Sequence, residues 1–283
     1  MCTKLNNTIK GGHFMTNGTS QGLFVVVAII IFGIFIAISY LLFRNTLKPS
    51  LSTIFTDSLE QSNCSLSGEC SINISSTRED EHYLYAKIRE ANLERNETEI
   101  WIQAEKLENN GLRIVKSSIT DSNYNSGTPD MVGSLSFPDT INGKPITHIG
   151  NKNGDYPFRL AKLDGHLRLP NKLQYVGYDS FLNCIFEGEL KLPSTLTYID
   201  NRAFRDSRFI KSIEFPTDLE YVGTDSFMYS KFSGNLIINH SLKEIGNRAF
   251  YSSEFEKVIN NSKDLMIQSQ SIRLEDNTYY TMQ

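Results

Sequence analysis

Histidine, cysteine and acidic side chains are the groups with which this chain could act on a substrate or hold a metal ion. The five histidines are scattered, without an HExxH motif or comparable zinc-binding spacing: they are His13, His82, His148, His166 and His240. The sequence contains no glycine-rich phosphate loop and no G-x-S-x-G elbow. We therefore predict that the protein is not an enzyme and binds no cofactor or metal.

A 23-residue internal repeat organises the second half of the chain. Its leucine column comprises Leu173, Leu196, Leu219, Leu242 and Leu265. Two phenylalanine columns keep the same spacing: Phe181, Phe204, Phe227 and Phe250, and then Phe186, Phe209, Phe232 and Phe255. A unit this short cannot bury its own apolar face, so we expect stacked units to share one core, as in a solenoid.

Alternate units are more alike than neighbouring ones, which indicates duplication of a 46-residue pair covering 173–218 and 219–264. One column within the pairs reads Asp179, Arg202, Asp225 and Arg248. If successive turns stack at about 4.8 Å, opposite charges lie side by side along the surface. We interpret this column as a solvated ladder in which each ion pair contributes only about a few tenths of a kcal/mol.

The pattern L-x-L-P-x-x-L-x-x-I-x-x-x-A-F, best seen up to Phe204, resembles the leucine-rich repeat of BspA-like bacterial surface proteins over roughly residues 134–265. The resemblance implies a curved, right-handed stack of short parallel strands, often displayed on microbial surfaces as a binding or adhesive module. Family members favour cysteine three residues after the phenylalanine. Cys184 occupies that position once and serine the others, so we predict a buried structural thiol there.

An uncharged apolar run, 23–43, precedes the repeats. As a helix it spans about 30 Å, the thickness of a bilayer core, and no small-residue cleavage site follows it. We predict an uncleaved, single-pass transmembrane helix behind an N-terminal segment, 1–22. Codons for Lys10 to Met15 could contain a ribosome-binding sequence, so Met15 is a second candidate for the true start.

The side of the membrane is not decided by charge. Without residues 1–14, the cations after the run favour a cytoplasmic repeat domain, whereas with Lys4 and Lys10 the two sides balance. Cys64 and Cys70 could form a small loop disulfide in an oxidising compartment, although two free thiols fit nearly as well. On this pair and on the surface habit of BspA-like proteins, we expect the repeat domain to be extracellular.

Composition changes between the apolar run and the repeats. Residues 44–76 read as a polar linker and residues 77–132 as an acidic, partly helical stalk or cap. Residues 49–132 carry 14 acidic and 7 basic side chains, whereas 133–265 carry 16 of each. Two stripes with helical spacing predict two short helices: Leu84, Ile88 and Ala91, and then Ile100, Ala104 and Leu107. These helices form either a partner-binding stalk or a cap on the first repeat turn.

The repeat domain itself is predicted over 133–265, followed by a C-terminal cap or tail, 266–283. Residues that alternate with the buried leucines should face outward from a strand-lined concave surface. These candidate partner contacts are His166, Arg168, Glu189, Lys191, Ser212, Glu214, Asn235 and Ile237. Nucleic-acid binding is not expected, because the repeat domain has no basic stripe.

Two functions from different classes fit these features. The first is a membrane-anchored repeat protein, displayed on a bacterial surface for protein–protein interaction or adhesion, whose partner is a protein or host-surface ligand. The alternative is a structural or tip component of a membrane-associated secretion or DNA-transfer apparatus, in which the anchor and the stalk assemble.

Overall fold

The computed structural model of the chain describes residues 26, 30–32, 34, 36, 74, 76–152 and 154–280. The chain divides into two units, 1–68 and 69–283, and nearly all described residues belong to the second. Most of the apolar run 23–43 lies outside the described residues, as do the segment 1–22, most of the linker 44–76, and Cys64 and Cys70. Within the described part, no helix has the length and apolar character needed to cross a bilayer.

The described residues form 19 β-strands. They are β1 Thr77–Glu79, β2 Tyr83–Arg89, β3 Ile100–Lys106, β4 Leu112–Ser118, β5 Leu135–Ser136, β6 Thr140–Ile141, β7 Lys144–Ile149, β8 Leu167–Arg168, β9 Tyr175–Val176, β10 Glu187–Gly188, β11 Tyr198–Ile199, β12 Arg208–Glu214, β13 Tyr221–Val222, β14 Lys231–Ile238, β15 Glu244–Ile245, β16 Phe250–Phe255, β17 Lys257–Asn260, β18 Met266–Ile267 and β19 Ile272–Leu274. A 3-10 turn, Leu93–Arg95, lies between β2 and β3.

Two ladders of parallel strands build the repeat region. The main sheet runs β1-β2-β3-β4-β7-β9-β11-β13-β15-β18, and it is antiparallel up to β4 and parallel from there on. The second sheet runs β10-β12-β14-β17, all parallel. Because successive turns add one strand to each ladder, the chain forms a parallel-strand solenoid. The predicted solenoid fold is therefore confirmed.

The phenylalanine columns form the centre of the core. Rings of the first column stack face to face on neighbouring turns, with centroids 5.2 Å apart from Phe181 to Phe204 and again from Phe204 to Phe227. The second column stacks at 6.0 to 6.3 Å and meets the first edge-on. All these rings are buried. The regular period of the repeat thus places identical side chains directly above one another.

The last turn departs from that period. Glu244 pairs with Met266 and Leu236 with Val258, so each pair falls one position short of a full repeat. A full step of 23 residues from Leu236 would instead reach Ile259 and turn Val258 outward. In the structure Val258 is partly buried and packs against the core, so the slip by one position changes which side chain closes the stack.

The prediction of two helices within residues 77–132 is wrong, because this segment forms the strands β1 to β4. Leu84, Ala86 and Ile88 are buried at every second position of β2, and β3 likewise buries Ile102 and Ala104. Apolar residues four apart satisfy both a helix and a strand, because four is also a multiple of the strand period of two. Strand β4 pairs with β7, so this segment extends the main sheet at the first turn.

Candidate functional site

The eight predicted contact residues differ in how much they are exposed. His166, Glu189, Lys191, Ser212 and Glu214 are exposed, whereas the other three are partly buried. Six of the eight lie on or beside β10, β12 and β14, so the parallel pairing of the second sheet brings them close together. The remaining two, from the earlier turn around β8, belong to a separate two-stranded sheet with β5.

Four of the predicted residues line one groove, called here the β10–β12 groove, with a volume of about 590 Å³. Its lining comprises Glu189, Leu190, Lys191, Leu192, Ser194, Lys211, Ser212, Glu214, Phe215, Pro216, Thr217 and Asn239. Apolar side chains such as Phe215 and Pro216 are buried beneath it, while carboxylates and amines stand at its rim. An apolar floor with a charged rim is the usual composition of a protein-binding surface.

Lys211 is a groove residue that the sequence reasoning did not select. Its ammonium donates to Oε1 of Glu189 at 2.5 Å, and this hydrogen bond, with the positive charges of Lys211 and Lys191, lowers the pKa of Glu189. Lys211 adopts a left-handed φ of 66°, the conformation that Gly188 and Gly234 adopt in the same column. The alternation of glycine and lysine in that column was visible in the sequence and marks the position.

Arg168 does not behave as a free contact residue. Its guanidinium donates to the carbonyl of Phe137 and, at 3.1 Å, to Oδ1 of Asp139, whose side chain is only 7% exposed. Asn171 donates to the same carboxylate from its backbone and its side-chain amide, at 2.8 and 2.9 Å. Arg168 therefore ties two successive turns together through the buried carboxylate of Asp139, while its own side chain stays 30% exposed.

Six copies of the BspA type leucine rich repeat region match residues 152–277. These residues form a BspA type leucine-rich repeat region. The predicted resemblance is thus confirmed, with the matched segment beginning and ending later in the chain than the predicted 134–265. Neither a curated protein nor a solved structure matches the chain. A BspA type repeat supports a role in protein interaction or adhesion, because repeat solenoids typically serve as binding scaffolds.

The BspA type region also carries a tyrosine ladder that the sequence reasoning missed. Tyr175, Tyr198 and Tyr221 stack on neighbouring turns of the main sheet, with ring centroids 5.3 and 4.4 Å apart, and His148 lies 5.7 Å before the first ring. All are partly exposed. The signal was present, since these tyrosines follow the leucine column at the same offset in three consecutive units.

A second pocket, of about 440 Å³, opens at the beginning of the tyrosine ladder. Its lining is Arg113, His148, Gly150, Asn151, Lys152 and Tyr175. Burial and the nearby charge of Arg113 lower the pKa of His148, which favours the neutral imidazole. The hydroxyl of Tyr175 donates to the buried Asp200 at 2.6 Å, so this ring is fixed to the following turn.

The surroundings of Cys184 do not favour a nucleophilic role for its thiol. Burial raises the pKa of its thiol well above the ordinary value, and the thiol donates to the carbonyl of Phe158 at 3.1 Å. Ser207 occupies the same column one turn later and donates to the carbonyl of Cys184 at 3.0 Å. Ser253 donates likewise to the carbonyl of Ser230, whereas the buried hydroxyl of Ser230 itself has no hydrogen-bond partner among the described residues. In the part of the chain that the structure describes, no group of three or more His, Cys, Asp and Glu side chains could hold a metal ion.

In the column of Asp179, Arg202, Asp225 and Arg248, opposite charges lie side by side as predicted, but the two aspartates are buried and not solvated. The Asp179 side chain is 1% exposed and accepts a hydrogen bond from Arg202 at 2.9 Å, while its second oxygen is buried without a hydrogen-bond partner. Burial raises the pKa of Asp179 to about 6, against the attraction of Arg159 and Arg205. The sequence could not show this, because exposure at a turn depends on how the next turn covers it.

The raised pKa of Asp179 predicts a specific dependence of stability on pH. The unfolded carboxyl has a pKa of about 3.9, so the folded state binds the proton more tightly. Its contribution to the free energy of unfolding is fully present below about pH 4 and is lost as the pH rises through about 6. The free energy of unfolding, measured with urea for the wild type and for Asp179→Asn, should differ less and less between the two proteins as the pH rises over this range. A difference that stays flat, or that matches the exposed control Asp218→Asn, would contradict the assignment.

Proposed function

We propose that the protein is a non-enzymatic, single-pass membrane protein that holds its BspA type solenoid outside a bacterial cell to bind a protein or host-surface ligand. The observation that carries the binding role is the β10–β12 groove, which gathers Glu189, Lys191, Ser212 and Glu214 around buried apolar side chains. The apolar run 23–43 supports the anchor by its length and lack of charge. The repeat type supports interaction or adhesion.

Loss of the rim charges should weaken attachment without unfolding the solenoid. In the groove variant, Glu189, Lys191 and Glu214 are all replaced by alanine, and we expect roughly tenfold weaker binding, since each exposed charge contributes about 0.2–1 kcal/mol. Thermal unfolding should hardly change, because surface substitutions usually alter stability by less than about 0.5 kcal/mol. Attachment to host cells of bacteria that carry the full chain measures the first effect, and melting of the purified protein measures the second.

A matched control removes two glutamates and one lysine from the exposed surface of β1 to β4 and their turns, at Glu81, Glu94 and Lys116. It should bind like the wild type. Equal attachment by the groove variant would remove the β10–β12 groove from consideration.

Protease treatment of intact cells tests the placement outside the cell. The solenoid should be digested, whereas its survival would refute display on the surface. Survival together with co-purification of a multiprotein membrane complex would favour the alternative, a component of a secretion or DNA-transfer apparatus.

A further inference from the structure

Four partly exposed arginines follow one another along the corners where alternate turns leave the main sheet. This arginine row comprises Arg159, Arg202, Arg205 and Arg248, whose side chains are 39%, 30%, 29% and 43% exposed. It shares no residue with the β10–β12 groove. Beneath it lie the carboxylates of Asp179 and Asp225, only 1% and 7% exposed, whereas the side chain of Asp206, beside Arg205, is 32% exposed. The surface of the row therefore presents four guanidinium groups and one carboxylate.

The row consists of two copies of one arrangement, in which a buried aspartate lies between two arginines. Asp179 contacts Arg202 at 2.9 Å and Arg159 at 3.7 Å. Each of these residues recurs 46 positions later in the chain, where Asp225 contacts Arg248 at 2.9 Å and Arg205 at 3.9 Å. The 46-residue spacing thus repeats a cluster of two arginines and one aspartate, and the second copy adds Asp206, whose Oδ2 lies 3.5 Å from Nε of Arg205.

The second arginine of each copy meets a carboxylate only at ion-pair distance, since Nε of Arg159 lies 3.7 Å from Asp179 and Nε of Arg205 lies 3.5 Å from Asp206. Among the residues that the structure describes, five buried side-chain polar atoms lack a hydrogen-bond partner, and these include Nε of both Arg159 and Arg205. A buried, unpaired donor is costly, so its repetition at equivalent positions needs a reason. Burial and the neighbouring charges of Arg205 and Arg159 also lower the pKa of Arg202, as expected where positive charge is in excess.

Tyrosine rings accompany three of the four arginines. The guanidinium carbon of Arg202 lies 4.6 Å from the ring centre of Tyr178, that of Arg159 lies 5.4 Å from Tyr156, and that of Arg205 lies 5.8 Å from Tyr229. Arginine and tyrosine are the residue types over-represented among the energetically dominant contacts of protein–protein interfaces. This composition favours a protein partner over a polysaccharide.

We propose that the arginine row binds an acidic protein segment, with one partner carboxylate at Arg159 and a second at Arg205. A guanidinium pairs with a planar carboxylate through two parallel hydrogen bonds. Because Nε of both arginines is buried, the partner carboxylate would meet the two Nη groups at the outer end of each side chain. Two turns of the solenoid separate the two positions, about 10 Å at ordinary strand spacing. In a polyproline II peptide, residues three apart lie on the same side at about 9 Å. An extended segment with acidic residues at positions i and i+3 therefore fits the row.

The experiment uses the full chain in detergent and a fluorescein-labelled peptide with two glutamates separated by two prolines. Fluorescence anisotropy should detect binding, and Arg159→Gln and Arg205→Gln should each weaken it about tenfold, as expected for loss of a hydrogen bond between charged groups. Arg95→Gln, which removes an exposed arginine from the 3-10 turn, is the matched control and should bind like the wild type.

The variants Arg159→Lys and Arg205→Lys keep the charge and lose the fork of donors. They should also bind several-fold more weakly, and they decide the question if the glutamine variants fail to fold in thermal melts. Unchanged affinity in folded variants would overturn the proposal. So would binding of a heparin hexasaccharide without binding of the peptide, since it would identify a sulfated polysaccharide site. The groove variant should bind the peptide normally, so failure of the β10–β12 groove and failure of the arginine row can be told apart.

Discussion

Replacing Phe204 by alanine should lower the free energy of unfolding by about 3–5 kcal/mol. The ring is completely buried and stacks on Phe181 below and Phe227 above, at 5.2 Å on each side. It also meets Phe209 edge-on at 5.9 Å. Alanine would lose the transfer energy of the ring and leave a cavity that its neighbours cannot close, because each is fixed by the next turn.

The position of Phe204 in the middle of the stack adds a second expectation. In a solenoid each turn is stabilised mainly by its two neighbours, so weakening a central turn weakens two interfaces at once. Urea unfolding followed by circular dichroism should give a lower midpoint for Phe204→Ala. Tyr251→Ala, which removes an aromatic ring that is 38% exposed, should cost less than about 1 kcal/mol. A similar cost for both variants would mean that the phenylalanine stack does not dominate the core.

The sequence was most informative where the repeat is regular. The spacing of Phe181, Phe204 and Phe227 predicted a shared core, and the rings stack in that order because equal spacing gives equal position on successive turns. The burial of Cys184 and Ser207 was likewise readable, since their thiol and hydroxyl groups need only a carbonyl of the previous turn. Residues that recur at the repeat period in the sequence are therefore in contact on successive turns of the structure.

Outside the regular columns, contacts join positions whose separation differs from the repeat period. Arg168 pairs with Asp139, in an earlier turn and off its own column, and Arg159 pairs with Asp179, slightly less than a full repeat further on. Neither pair belongs to one column, so the sequence suggested neither. The same limit explains why Arg168 was selected as a partner contact: its position beside a leucine was visible, whereas the buried carboxylate that it neutralises was not.

The strands β1 to β4 show a different limit. Leu84 and Ile88 fit a helical stripe, and only the burial of Ala86 between them distinguishes the strand. Alanine is small and compatible with either structure, so the decisive residue carried little signal. What selects the strand is the open edge of β7, which pairs with β4 and so continues the parallel ladder into the antiparallel strands.

Replacing Asp139 by alanine should destabilise the first turns of the solenoid by about 3 kcal/mol, the cost of breaking a buried ion pair from one side. The carboxylate is nearly inaccessible and accepts hydrogen bonds from Arg168 and from both the backbone and the side chain of Asn171. Its loss removes the counter-charge and one acceptor from the partly buried Arg168 guanidinium, which keeps only the carbonyl of Phe137, and it leaves the backbone amide of Asn171 without its acceptor. Arg168→Met should cost less, because Asn171 still satisfies the carboxylate.

A double-mutant cycle measures whether the two charges act together. If Arg168 serves to join turns, Asp139→Ala combined with Arg168→Met should be less destabilised than the sum of the single variants, by about 1 kcal/mol or more. Asp218→Ala, at an exposed aspartate, is the control and should stay within about 0.5 kcal/mol of the wild type. Additive effects in urea unfolding, with partner binding lost in Arg168→Met at unchanged stability, would instead return Arg168 to the contact surface. A non-additive result assigns the charge of Arg168 to the interior of the fold. Of the charged residues predicted as partner contacts, Glu189, Lys191 and Glu214 then remain as the rim of the β10–β12 groove.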